Sequence, residues 1–280
     1  MKIGLALGGG GARGLAHISM LEAFDELGIK PAVIAGCSMG ALIGAAYACG
    51  MTASDMRERA ETILNNRMGA ARYVFGTRKS RIGDILSWQG LLSMHLQGEK
   101  LVDLALPDSL VQNIEDTEIP LRIVATDFER MEEHVISHGN IVQAVAASIA
   151  IPGVIVAPKI NDRLHVDGGV TNPVPFNHVR EGMDLVVAID VTGTPKRSER
   201  LHPSNMELAI GSMLIMFNQL AELRRAAAPP DIYIRPAVNQ FGSGDFFKIR
   251  DVLEAAEGSK DELKRALEMQ INKAAGGRSV

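Results

Sequence analysis

Cysteine is scarce. Cys37 and Cys49 are the only two among 280 residues, too few for a disulfide framework and unsuited to a zinc site. A reducing cytoplasm is therefore the expected setting, and neither a metal nor a cofactor is expected. A dominant charge is missing as well. The formal net charge of −4 gives no global pull towards nucleic acid or an anionic membrane, so no nucleic-acid partner is expected. The N-terminus lacks the succession of basic region, apolar stretch and small-residue cleavage site that marks a signal peptide; Met1-Lys2 leads straight into Ile3–Leu7, which reads as a buried strand. Internal repeats and low-complexity segments are absent. Two uncharged runs, Ala32–Met51 and Ile141–Pro158, approach membrane-spanning length. The first carries a glycine-flanked turn and the second is broken by Pro152-Gly153, which would leave backbone groups unpaired in lipid. Both read as pieces of a packed core.

What is present is an alternation of strands and helices. With 46% apolar and 22% charged residues, the chain can bury a substantial core, and residues 1–280 are expected to form a single domain. An apolar strand (3–7) runs into glycines 8–11. A helix follows over about 12–27, with Leu15, Ile18, Leu21 and Leu27 near helical spacing and Gly28 suited to a C-cap. A short strand (32–35), a turn (36–40) and a helix to Cys49 complete a strand–helix–strand–helix unit with a parallel sheet. Residues 52–65 read as an amphipathic helix. Further strands are expected at 121–126, 135–137, 164–166, 185–191 and 232–234. Helices are expected at 141–147, 205–227 and 246–275, so that 205–280 is mostly helical. The polar stretch Thr192–Ser204 reads as a surface loop.

The glycine loop Gly8-Gly9-Gly10-Gly11-Ala12-Arg13-Gly14 follows a strand and opens a helix. Consecutive exposed N–H groups backed by a helix N-terminus attract negative charge, whether a phosphate or the oxyanion of an acyl-transfer intermediate. Gly9-x-Gly11-x-x-Gly14 also fits the dinucleotide fingerprint. That fingerprint expects an acid about 20 residues on, at the end of the second strand; here the strand ends Ile34-Ala35-Gly36. No Lys-Ser/Thr follows the glycines, so a nucleotide P-loop also fits poorly. A turn serving only close packing is the plainest alternative.

Gly36-Cys37-Ser38-Met39-Gly40 is a Gly-x-Ser-x-Gly pattern between a short apolar strand and a helix, the setting in which a nucleophile elbow works. A sharp turn would lift the Ser38 hydroxyl clear of the sheet, with Gly36 and Gly40 keeping side chains out of the way. The Met39 N–H would donate to an oxyanion, helped by the glycine loop; losing one such donor costs about 10²–10³ in rate. Cys37 points away from Ser38 and has no activating base nearby in sequence. A serine nucleophile needs a base. Histidines 95, 134, 138, 165, 178 and 202 follow Ser38, none in a convincing strand-end loop near the C-terminus. Asp167, at a strand end before Gly168-Gly169, could take the proton directly if burial raises its pKa. It could equally be a turn aspartate.

Gly9–Gly14, the Gly-x-Ser-x-Gly at 36–40 and Asp167-Gly168-Gly169 occur in the order seen in the patatin-like phospholipases, and the chain resembles the short bacterial members of that family. Arg13-Gly14-x-x-His17 and Ala147-Ser148-x-Ala150-x-Pro152 with Pro158 agree. Ile155 departs, standing where an aromatic is expected. The resemblance covers about 1–60 and 120–190 and is loose elsewhere. It implies a three-layer α/β/α fold with a central, mostly parallel sheet. It implies a Ser–Asp dyad of Ser38 and Asp167, with Gly9, Gly10, Gly11, Ala12, Arg13, Gly14 and Met39 around the oxyanion. It further implies hydrolysis of lipid esters, phospholipid or lysophospholipid, without calcium. The alternatives are a Ser-His-Asp esterase or thioesterase, with His178 or His202 as the test, and a non-catalytic protein that binds an acyl ligand. A basic, aromatic-bearing stretch (Arg67, Arg72, Tyr73, Phe75, Arg78, Lys79, Arg81, Trp88) within 61–119 reads either as a lid resting on anionic lipid at the inner membrane surface or as a solvated insertion. The Met-rich stretch 206–220 is expected in the core rather than lining an acyl pocket. Arg13 would either hold a phosphate head group or brace its own loop.

Overall fold

The computed structural model describes residues 1–65, 97–107, 110–194 and 204–276. The basic stretch of the expected lid, His95, His202 and most of the loop after Thr192 lie outside the described residues.

Strand β1 (Ile3–Leu7) is flanked by β2 (Val33–Cys37) and β7 (Leu185–Ile189), all parallel. β8 (Ile232–Ile234) extends the parallel run beyond β7, and β3 (Leu121–Asp127) extends it beyond β2. Nearly unbroken apolar runs such as Leu185-Val186-Val187-Ala188-Ile189 suit strands covered on both faces. The far side of the sheet is antiparallel: β4 (Glu132–Ile136) and β6 (Arg163–Asp167) pair with β3, and β5 (Lys159–Ile160) pairs with β6. The sheet is therefore mixed, with its parallel part in the centre.

The two faces are covered unequally. Ile3, Leu5, Leu7, Ile34, Val187 and Ile189 point into the larger core. The helices on that side are α1 (Ala16–Glu26), α2 (Met39–Ala48), α3 (Ala53–Asn65), α4 (Gly98–Ala105), α5 (Ile141–Ser148) and α7 (Ile249–Gly276). The alternate residues Ala6, Val33, Ala35, Val186 and Ala188 face a thinner layer. It consists of the 3-10 turn Phe176–Val179 and Ala221 of α6 (Asn205–Ala227). Small residues on that face let the layer approach closely.

Two expectations change. The first helix begins as a 3-10 turn, Gly11–Leu15, before it becomes α1. The Met-rich half of α6 does not enter the core: Leu208, Ile215 and Met216 are exposed, and Ala221 is the one buried residue among the described side chains of that helix. No charge interrupts residues 208–221; hydropathy alone suggested burial, whereas the helix lies along the surface. Among the described residues no helix is long and apolar enough to cross a membrane.

β3 positions the site. One of its edges pairs with β4 along residues 123–127. The opposite edge is shared: β2 runs parallel along it and ends with Cys37 beside Val124, while β6 comes from the other direction and ends with Asp167 beside Ala125. Two strands of opposite sense thus finish head to head on consecutive residues of β3.

Candidate active site

Ser38 follows the end of β2 and caps α2 with φ 53° and ψ −123°. A non-glycine residue there carries strain of about 1–3 kcal/mol, which only its surroundings can hold. The geometry needs closeness. Any Cβ at Gly40 would run into the carbonyl of Leu7, and one at Gly168 into that of Val124. Ser148, buried on α5, adds a brace: its Oγ accepts from the Ser38 N–H at 2.8 Å and donates to the Val124 carbonyl at 2.6 Å. The sequence placed this residue in the segment Ala147-Ser148-x-Ala150-x-Pro152 but gave it no role. Nothing in spacing reveals that a small hydroxyl is needed between β2 and β3.

The head-to-head strand ends bring Ser38 and Asp167 together. The Ser38 Oγ–H donates to Asp167 Oδ2 at 2.7 Å, and Asp167 Oδ1 accepts the Gly169 N–H at 2.8 Å. Asp167 is 2% exposed. Burial raises its pKa to about 6, against the opposing pull of the Ser38 and Gly169 hydrogen bonds. Cys37 is buried, and burial, then the nearby Asp167 charge, push its thiol well above the usual range, so it stays protonated and inert.

The glycine loop lies against this pair, with Gly9 packed on Ser38 and Gly14 on Met39. Its N–H groups divide into two sets. Gly9 donates to the Pro173 carbonyl at 2.9 Å and Ala12 to the Ser243 carbonyl at 2.8 Å; both are spent on structure. Among the described residues no acceptor engages the N–H groups of Gly10, Gly11 or Met39. Arg13 is fully buried, and its guanidinium donates to the carbonyls of Val191, Thr192 and Phe241. It braces the loop and has no free edge for a head group.

No described histidine is hydrogen-bonded to Ser38. His17, buried under the loop, contacts the Gly8 carbonyl through Nε2 at 2.8 Å, and burial drives its pKa down to about 4, leaving it neutral. His134 and His165 bond to each other, His138 to Ser137, and His178 to Glu133 and Asn177. Ile155 is buried in the main core, so its departure from the aromatic pattern is a matter of packing.

A family model described as patatin-like phospholipase matches residues 5–180, the span containing the glycine loop, the elbow and Asp167. The chain belongs to this family. An uncharacterized NTE family protein of Mycobacterium bovis is 32% identical over 194 residues, covering 69% of this chain and 50% of the relative. A lysophospholipase NTE1 of Cryptococcus neoformans is 28% identical over 296 residues, covering 94% of this chain and 17% of the relative. The chain thus spans half or less of the length of these curated relatives. Among solved structures, VipD from Legionella pneumophila shares the fold at a TM-score of 0.50 and 15% identity, covering 95% of this chain and 66% of VipD. The three-layer patatin-like architecture that the resemblance implied is the one observed.

Proposed function

We propose that the protein is a serine acyl-ester hydrolase acting on lipid esters, phospholipid or lysophospholipid, with Ser38 as nucleophile and Asp167 as base. The observation that carries this reading is the 2.7 Å hydrogen bond from the Ser38 hydroxyl to a buried carboxylate whose pKa is about 6. A base serves best when its pKa lies near the working pH. At neutrality Asp167 is mostly ionised yet more basic than an exposed aspartate. Asp167 takes the hydroxyl proton as Ser38 Oγ bonds to the ester carbonyl carbon. The resulting oxyanion is held by the Gly10, Gly11 and Met39 N–H groups, assisted by the N-terminal field of α2. The alcohol or lysolipid leaves with the proton from Asp167. Water, deprotonated by Asp167, then attacks the acyl carbonyl, and Ser38 Oγ leaves as the acyl–enzyme bond breaks, taking the proton from Asp167.

The lysophospholipase name of a relative supports a lysolipid or phospholipid substrate. The reading includes peripheral contact with a lipid surface. Support comes from the exposed apolar side chains of α6, the helix whose Phe217 lies against Gly169 beside Asp167.

The test is mass-spectrometric mapping of a fluorophosphonate adduct, followed by a lipid panel. The adduct is expected on Ser38. Ser38→Ala and Asp167→Asn are each expected to abolish cleavage of p-nitrophenyl esters with the fold intact. Full activity in Asp167→Asn, with loss in His178→Ala or His202→Ala, would replace the dyad with a histidine-based triad. Absence of any adduct would favour a non-catalytic acyl-binding protein.

A further inference from the structure

The turn that follows Asp167 is pinned from two elements that play no part in the chemistry just described. Within the turn, Gly169 N–H holds Asp167 Oδ1, and the N–H groups of Thr171 and Asn172 donate to the Gly168 carbonyl at 3.1 and 2.8 Å. From β3, the buried Thr126 hydroxyl donates to the Asp167 backbone carbonyl at 3.0 Å. The Thr126 hydroxyl also lies 2.9 Å from that of Thr171, which in turn reaches the Gly168 carbonyl at 3.4 Å. From α6, Arg224 Nη2 donates to the Thr171 carbonyl at 3.0 Å and pairs with Glu133 Oε2 at 3.4 Å. Glu133, on β4, also accepts from Asn172 Nδ2 at 2.8 Å and from His178. Both flanks of the turn are thereby tied down, one of them by a residue beyond the stretch that the family model matches.

We propose that Thr126 and Arg224 are positioning residues for Asp167: they fix the 168–172 turn so that the Gly169 N–H stays on Oδ1 and Oδ2 stays on the Ser38 hydroxyl. The inference rests on the Ser38–Asp167 reading above. If the pins are removed, the Gly169 N–H drifts from Oδ1. That hydrogen bond favours the carboxylate, so its loss raises the apparent pKa of Asp167. The groups around Asp167 are Ser38, the protonated Cys37 thiol of β2, His165 of β6 bonded to His134 of β4, and the Glu133–His178–Arg224 cluster.

The experiment compares pH profiles of ester hydrolysis for the wild type, Thr126→Val, Arg224→Gln and Arg224→Lys, with Arg180→Gln as control. Arg180 ties the end of α6 through the Ala228 and Pro229 carbonyls without touching the turn. Thr126→Val and Arg224→Gln are expected to lower kcat by about tenfold with KM unchanged. Both should move the acid limb of kcat/KM to higher pH, by up to about one to two pH units if the whole weight of one hydrogen bond to a charged group is lost. Thr126→Val alters no charge, so a shift there is not a through-space electrostatic effect. Arg224→Lys keeps a donor for the Thr171 carbonyl and should recover most of the rate and the wild-type limb; if Arg224→Gln does not fold, Thr126→Val carries the test. An unmoved acid limb in Thr126→Val, and in Arg224→Gln where it folds, would overturn the proposal. So would an equal shift in Arg180→Gln, which would assign the effect to docking of α6. Full activity in Asp167→Asn would overturn the dyad and this inference together, whereas an inactive Asp167→Asn with unshifted limbs would remove the positioning role alone.

Discussion

Asp167 is the residue whose environment departs most usefully from the ordinary. Its carboxyl is buried with no cation in contact among the described residues, and two hydrogen bonds only partly offset the desolvation. Two pH effects follow, with opposite signs. On the proposed dyad the reaction uses the carboxylate, so kcat/KM should rise through a limb near pH 6. Stability responds the other way. The native state holds the Asp167 proton more tightly than the unfolded chain, whose aspartate titrates near pH 4. Between about pH 4 and about pH 6 the unfolded state therefore carries fewer protons, and stability falls as pH rises through that window. The shift corresponds to a cost on the order of 3 kcal/mol at neutral pH. Asp167→Asn should then unfold at a higher temperature than the wild type at pH 7, with the gap closing below pH 4. Thermal unfolding across pH checks this; a gap that widens on acidification would show that burial is not what raises the pKa.

At the scale of elements, the elbow is a strand end and a helix start held in a strained join. The strain at Ser38 persists because Ser148 on α5 stitches the Ser38 N–H to the Val124 carbonyl. Ser148→Ala leaves that N–H and that carbonyl without their shared partner. The expected cost is about 1–3 kcal/mol of stability and roughly a tenfold fall in kcat, since the nucleophile must be held to within about half an ångström. Chemical denaturation and steady-state kinetics on the same preparation would measure both; loss of stability with unchanged kcat would reduce Ser148 to a packing role.

At the scale of the whole molecule, the family match ends at residue 180, yet the sheet does not. β7 pairs with β1 along its whole length, and α7 covers α1 with the buried side chains of Val252, Leu253, Ala256, Leu263 and Leu267. A chain cut after residue 180 would bare one edge of β1 and the outer face of α1. It is expected to aggregate rather than give a smaller active protein, as size-exclusion chromatography would report. Leu263→Ala should cost about 2–5 kcal/mol while leaving kcat near that of the wild type, because its neighbours Lys260 and Lys264 pair with Glu26, at the end of α1 away from the glycine loop.

Much was legible in the residues themselves. The strand–turn–helix order of 3–48 follows from local chemistry, with glycines where the chain turns and apolar periods where it does not. α6 and β8 fall on the boundaries read from the sequence, 205–227 and 232–234. Ser38 stood out because its pattern has a demanding local context. Asp167 did not stand out to the same degree. From the residues alone it was equally a turn aspartate, and family resemblance singled it out. Its place beside Ser38 depends on β2 and β6 ending on neighbouring residues of β3, a matter of register between segments about 130 residues apart that no local signal encodes. The same holds for Ser148, Thr126 and Arg224, whose hydrogen bonds run between elements. The surface course of α6 was misread because hydropathy records a preference for burial and not whether a partner surface is available. The sequence by itself determined most of the elements and pointed to Ser38 as the candidate nucleophile, since both rest on neighbours along the chain. Only the tertiary structure decided which carboxylate meets that nucleophile, which N–H groups remain free, and what holds them there, since each of these rests on distances between strands.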